Sequence, residues 1–180
     1  MGYLPQKFFA RDTIEVARDL IGTGIIVGSC SGRIVETEAY TTDDASHSVM
    51  RPRQSVVMQK TFGHVYVYFI YGMYYCLNFT TDRQGAGAVL IRAAEPTRGL
   101  ELMRDRRGTG DIQKLASGPG RLCQAFGIDL SFNGEQLGGR IRITSRPDIP
   151  EIASSTRIGI SRATHLEWRF YERNSPFVSR

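Results

Sequence analysis

The sequence predicts an α+β fold: a single domain over residues 1–180 with a curved, mostly antiparallel β-sheet flanked by helices. Three observations predict it. Aromatic and β-branched runs crowd the middle of the chain, at residues 33–40, 64–71, 74–80 and 88–94, with helix-like segments outside them. Most links between successive runs are too short for the crossover that a parallel pair requires. A chain of 180 residues suits one hydrophobic core.

In chain order, Asp12 with Glu15 forms a plausible capping box for a helix over residues 13–21. Ile14, Ala17, Leu20 and Ile21 fall on one face of that helix, and Gly22 can end it. Residues 24–28 and 33–40 read as a hairpin around a turn at 29–32. Residues 41–60 are polar and irregular, with Pro52 inside, and such a long loop is usually functional. Residues 64–71 and 74–80 form a second hairpin around Gly72-Met73. A glycine-bearing turn at 82–87 leads to a strand at 88–94. Pro96 then marks a helix start, with helical content over 97–107. Residues 108–114 read as loop, and Ser117 as the cap of a helix near 120–126 closed by Gly127. Late strands are expected at 140–144, 157–161 and 168–172, with 146–155 as a connection.

Several classes are excluded or disfavoured. No apolar run approaches the roughly 18–20 residues of a membrane helix. The first ten residues lack the apolar stretch of a secretory signal, so a soluble, intracellular protein is expected. Cys30, Cys76 and Cys123 are widely spaced and odd in number, which argues against disulfides and a zinc site. His47, His64 and His165 have no metal-ligand spacing, and no cofactor motif or phosphate-binding glycine loop occurs, so neither metal nor cofactor is expected. Of 23 basic residues all but Lys7, Lys60 and Lys114 are arginines, and the formal net charge is +5. That balance is compatible with nucleic acid.

The chemistry-bearing residues cluster in a few segments. In a strand, Glu36, Glu38 and Tyr40 share a face. They are either a general-base site beside an aromatic wall or the solvated face of an edge strand. In 65–75, Tyr66, Tyr68 and Ile70 share one face. Tyr71 and Met73 flank Gly72 at the tip, where exposed side chains can wedge between base steps. His47 lies in the polar loop just after the paired carboxylates. Asn78 sits in a strand, where Asn needs a local reason. Arg92 interrupts an apolar strand and needs an acidic or phosphate partner.

These segments together resemble the alkyladenine (3-methyladenine) DNA glycosylase family. The resemblance runs from about Phe8 to Ser179. Its blocks are Arg33-Ile34-Val35-Glu36-Thr37-Glu38-Ala39-Tyr40, Ala45-Ser46-His47-Ser48, Tyr66-Val67-Tyr68 through Tyr71-Gly72-Met73-Tyr74 to Asn78, Val89-Leu90-Ile91-Arg92-Ala93, Glu95-Pro96, Ser117-Gly118-Pro119 with Leu122-Cys123-Gln124-Ala125, and Arg169-Phe170-Tyr171 with Ser175-Pro176.

The resemblance implies one glycosylase domain that flips damaged purines from duplex DNA and hydrolyses them off, without a lyase step. It implies Glu38 as general base and Arg92 as the residue that positions the water or the flipped nucleotide's phosphate. Tyr40, His47 and Tyr68 would hold the base, and Asn78 would discriminate against guanine's exocyclic amine. Tyr71 would intercalate, supported by Met73 and Tyr74. The substrates implied are alkylated purines, with hypoxanthine and ethenoadenine as further candidates. A monomer is expected, associated with the nucleoid in a bacterial cytoplasm. The loop between Tyr40 and His47 and the segment 108–114 are shorter than the family pattern. Two alternatives stand beside this reading: a non-catalytic DNA-binding module with the same basic, aromatic surface, and a small-molecule transferase.

Overall fold

A computed structural model of the protein describes residues 2–179. Eight strands form one sheet, and every pairing in it is antiparallel. They are β1 (Gly24–Val27), β2 (Cys30–Tyr40), β3 (Val65–Ile70), β4 (Tyr74–Thr81), β5 (Gly87–Arg98), β6 (Ile141–Thr144), β7 (Ile152–Ser155) and β8 (Arg169–Glu172). The main path runs β3-β4-β5-β2-β1-β6, and β8 joins β2 and carries β7. Five helices flank the sheet: α1 (Thr13–Asp19), α2 (His47–Met50), α3 (Val56–Lys60), α4 (Leu100–Arg107) and α5 (Pro119–Phe126). Among the described residues no helix is long and apolar enough to cross a membrane.

Strand alternation divides the sheet into two faces. Ala39 of β2, Val65 and Val67 of β3, Leu77 and Phe79 of β4 and Val89 and Ile91 of β5 enter the main core with residues of α1 and α5. Burying Phe79 and Phe126 contributes about 2–3 kcal/mol each. The alternate residues, Tyr40, Tyr66, Tyr68, Cys76, Asn78, Ala88, Leu90 and Arg92, line a cavity on the other face. Strand β2 is central. Its full length pairs with β5, while its other edge is shared between β1 at residues 30–33 and β8 at residues 36–38. Register shifts between β2 and β5 at Ser31/Gly32, Ile34/Glu36 and Glu36/Thr37 bend the sheet around the cavity.

The helix at residues 13–21 is present but shorter, ending at Asp19; the Asp12 carboxylate accepts from the Ile14 and Glu15 amides. Several expectations are corrected. The loop at 41–60 holds two short helices, α2 and α3, because Ser46 accepts from the Ser48 amide and Pro52 separates two local turns. The first hairpin turn is tighter than 29–32, since Val27 already pairs with Cys30. The second turn has three residues, Tyr71, Gly72 and Met73, because Ile70 pairs with Tyr74.

Pro96 does not start a helix. Strand β5 runs through it to Arg98, and the register shift beside Gly32↔Pro96 absorbs the missing N–H. Ser117 does not cap α5; Gly118 holds that position and Pro119 opens the helix. The expected strand at 157–161 is absent, and β7 lies instead at Ile152–Ser155, inside the expected connection. At 157–161 the Ile158 amide donates to the Glu38 carboxylate instead of to a strand partner, and the Arg157 side chain turns inward to the Ala39 carbonyl.

Two glycines with positive φ separate conformational cost from steric cost. Gly99, between β5 and α4, has φ +79°, and a Cβ there meets the Ser29 carbonyl oxygen at 2.9 Å and the Cys30 Cα at 3.0 Å. Gly72 has φ +68° with nothing within 4 Å of such a Cβ. Gly72→Ala should therefore destabilise the protein by about 1 kcal/mol, and Gly99→Ala by about 2–3 kcal/mol, in urea titrations. Equal losses would show that the contacts of Gly99 relax freely.

Candidate active site

The cavity on the concave face has a volume of about 520 Å³, within the range of small-ligand pockets. Its walls include Tyr40, His47, Tyr68, Asn78 and Arg92, brought together from β2, α2, β3, β4 and β5. Tyr71 and Tyr74 stand at its hairpin edge. Glu38 lies directly behind the wall: it has no exposed surface, and three cavity-lining residues, Tyr40, Ile158 and Arg92, point polar atoms at its carboxylate. Met73 is not part of the lining and projects at the hairpin tip, 64% exposed.

Glu36 and Glu38 are both fully buried in a central strand, which rules out the solvated edge. Arg92 on β5 lies between them. Its Nε donates to Glu36 Oε1 at 2.9 Å, and its Nη1 is 3.3 Å from Glu38 Oε1. Burial opposes the charge on Arg92, but Glu38 and Glu36 more than offset it and hold the guanidinium above its ordinary pKa. The acidic partner that the sequence demanded for this arginine is thus the carboxylate pair.

The two carboxylates differ in how fully they are used. Glu36 receives Arg92 Nε, Arg169 Nε at 2.7 Å, the Ser179 hydroxyl at 2.8 Å and the Ser179 amide at 2.6 Å. Three of these donors share Oε1 and one, the Ser179 amide, reaches Oε2. Glu38 receives the Tyr40 hydroxyl at 2.8 Å, the Ile158 amide at 2.7 Å and the Arg92 contact. All three of these residues line the cavity, and the Tyr40 hydroxyl is the one donor to Glu38 Oε2 among the described residues. Burial, and then the charge of Glu38, push the Tyr40 hydroxyl far above its ordinary pKa, so it stays a donor.

The aromatic walls are linked by polar contacts. His47 lies against Tyr68 with ring centroids 4.3 Å apart, and its Nδ1 is 2.9 Å from the Tyr66 hydroxyl. Burial, with Arg51 nearby, lowers the His47 pKa from 6.5 to about 4, so the ring is neutral near pH 7. Burial pushes Tyr66 up to about 12, and raises Tyr68 as well. Asn78 has its local reason: Nδ2 donates to the Tyr66 and Cys76 carbonyls at 3.1 and 3.3 Å, which fixes the amide and leaves Oδ1 without a donor among the described residues.

The β3–β4 hairpin tip is apolar and exposed. Tyr71 is 77% exposed and holds φ +55°, a left-handed conformation that costs a non-glycine residue about 1–2 kcal/mol. Arg51 and Arg121 also line the cavity, and Arg121 reaches only Ser117 among the described residues. Among the described residues, no group of three His, Cys, Asp or Glu side chains is placed to hold a metal ion.

Sequence reasoning missed four site residues. Tyr66 was on the right strand face beside Tyr68, but nothing local told a core tyrosine from a partner of His47. Ser179 closes the Glu36 cluster from far along the chain, and Ile158 and Arg157 lie in a segment with a strand-like pattern. No spacing rule reaches contacts more than 100 residues apart.

Comparison with known proteins identifies the family of the chain. The family model described as methylpurine-DNA glycosylase (MPG) matches residues 7–176. A protein of Methanoculleus marisnigri is 46% identical, covering 98% of this chain and 98% of its own. One of Nitrosospira multiformis is 46% identical over 98% of this chain and 93% of its own, and one of Rhodopseudomonas palustris 47% identical over 98% and 90%. All three are provisionally named 3-methyladenine DNA glycosylases. A match over almost the whole chain establishes that the chain belongs to the methylpurine-DNA glycosylase family.

Proposed function

We propose that this DNA glycosylase flips a damaged purine out of duplex DNA into the cavity and hydrolyses its N-glycosidic bond with water, Glu38 serving as general base. The observation that carries the reading is the setting of Glu38: its three partner residues, Tyr40, Ile158 and Arg92, all line the cavity, and its Oε2 takes one donor among the described residues, whereas three donors crowd Oε1 of Glu36 and one of them, Arg169, lies off the cavity. Glu38 Oε2 takes the attacking water and its proton, and the negative charge offsets positive charge developing on the sugar. Arg92 holds the carboxylate in place.

The 3-methyladenine in the relatives' names suits the walls. Tyr40, His47 and Tyr68 sandwich the base, and a cationic alkylated purine gains roughly 0.5–2 kcal/mol of cation–π attraction. With the Tyr66 hydroxyl donating to Nδ1, neutral His47 presents Nε2–H to a purine nitrogen. That donor serves hypoxanthine and ethenoadenine as further substrates. Asn78, locked by two backbone carbonyls, cannot turn away and excludes guanine's exocyclic amine. Tyr71 fills the gap in the duplex, with Met73 and Tyr74 against the neighbouring bases, and its strained backbone supports a role at that tip. None of Lys7, Lys60 and Lys114 lines the cavity, which supports water over a Schiff base and a glycosylase without a lyase step.

The decisive experiment is single-turnover excision from duplexes carrying hypoxanthine, ethenoadenine or an alkylated purine, with and without alkali. Wild type should give alkali-dependent breaks only, and Glu38→Gln should bind lesion DNA while excising at least about 100-fold more slowly. Near-normal turnover by Glu38→Gln removes it from the role of base. Tyr71→Ser should weaken lesion-duplex binding by about tenfold or more, the value of one lost base stack. An unchanged affinity shows that Tyr71 does not intercalate. The His47 pKa predicts a pH effect on stability. Between pH 6.5 and about 4 the unfolded chain takes up a proton that folded His47 refuses, so wild type loses stability as pH falls through that window. In chemical denaturation, His47→Gln should lose less across the same window; parallel curves would place the histidine in solvent.

A further inference from the structure

We infer that Arg157 is a positioning residue of the base cavity: it locks the rear of Tyr40, the turn that leads to His47, and the backbone donor on Glu38 into one unit. The inference rests on the proposed excision of a flipped base.

The Arg157 side chain has no exposed surface. Its Nη1 donates to the Ala39 carbonyl at 2.9 Å and to Asp43 Oδ2 at 3.2 Å, and its Nη2 donates to Asp43 Oδ1 at 2.7 Å. The guanidinium is stacked between two rings, 4.6 Å from the centre of Tyr40 and 5.2 Å from that of Trp168. Asp43 is a hub in turn. Its carboxylate accepts from the Thr41 and Ala45 amides, and its carbonyl accepts from the Ser46 amide at the start of α2. Burial works against the Asp43 charge, but Arg157 and the Thr41 amide hold its pKa below the ordinary value. One residue on, the Ile158 amide donates to Glu38 at 2.7 Å.

Stability alone does not account for this arrangement. A buried ion pair is weak evidence for stability, because well-packed apolar side chains often do as well. Here the arrangement also leaves Arg157 Nε buried without a partner among the described residues. The contacts converge instead on the three groups that would grip the base and the water: the Tyr40 ring, the segment carrying His47, and the Glu38 carboxylate. A lysine cannot replace it, since an ammonium has neither the two-pronged fork for Asp43 nor a flat face for two rings.

The test compares Arg157→Lys with wild type on two duplexes, one carrying hypoxanthine and one carrying a reduced abasic analogue that leaves the cavity empty. Thermal midpoints are measured alongside. Positioning predicts affinity for the abasic duplex within about threefold of wild type, with hypoxanthine excision slowed by about tenfold or more. Asp43→Asn, which keeps the side-chain volume, should shift the same two readouts in the same directions and serves if Arg157→Lys does not fold. Parallel loss of both affinities with the thermal midpoint would overturn the inference in favour of a structural role, as would excision within twofold of wild type in both variants. Failure of wild type itself to release any damaged base would instead remove the proposed function on which the inference rests.

Discussion

Two carboxylates on one face of a buried strand can coexist only if a cation lies between them, and Arg92 on the neighbouring strand supplies it through its 2.9 Å bond to Glu36 and 3.3 Å approach to Glu38. The rest of the site follows from that pairing. Arg169 and Ser179 complete the shell of Glu36, which draws the last described residues of the chain against the sheet. Glu38 is left to Tyr40 and Ile158, whose remaining atoms face the cavity. The charged cluster is therefore the floor of the pocket and also the joint between β2, β5, β8 and the C-terminal segment.

The same strands serve core and cavity. Phe79 and Asn78 are neighbours in β4, yet one sits among the phenylalanines of the core and the other on the cavity wall. Ile91 and Arg92 make the same division in β5. This economy ties the rigidity of the site to the packing of the domain: a wall residue cannot move without disturbing the core residue beside it.

That alternation is why much of the fold is readable from the chain. Residues 33–40, 65–70 and 74–81 carry a period of two strong enough to give strands, faces and hairpin pairing, and the same rule puts Glu36, Glu38 and Tyr40 together. The site was legible only in part. Arg92 called for an acidic partner from its apolar setting alone, but which acid, and the difference between Glu36 and Glu38, depend on donors from Arg169, Ser179 and Ile158 far along the chain. The strand face offers a carboxylate base and the hairpin tip a wedge at Tyr71, but the choice of Glu38 over Glu36 and the part given to His47 are implied by the family resemblance alone. Pro96 misled because a register shift can seat a proline inside a strand, and the 157–161 pattern misled because the Ile158 amide is taken by the distant Glu38 carboxylate.

Strand β2 also limits how the gene can change. Its register is fixed on one edge by β5 and on the other by β1 and β8, and its side chains alternate between core and cavity. Gaining or losing one codon between Ile34 and Tyr40 would exchange the faces of every residue beyond it. On the shortened side, Thr37 and Ala39 would turn toward the cavity and the carboxylates toward the core. A change of length in this stretch keeps the faces only where a further bulge absorbs it, whereas the loops accept one without exchanging any face.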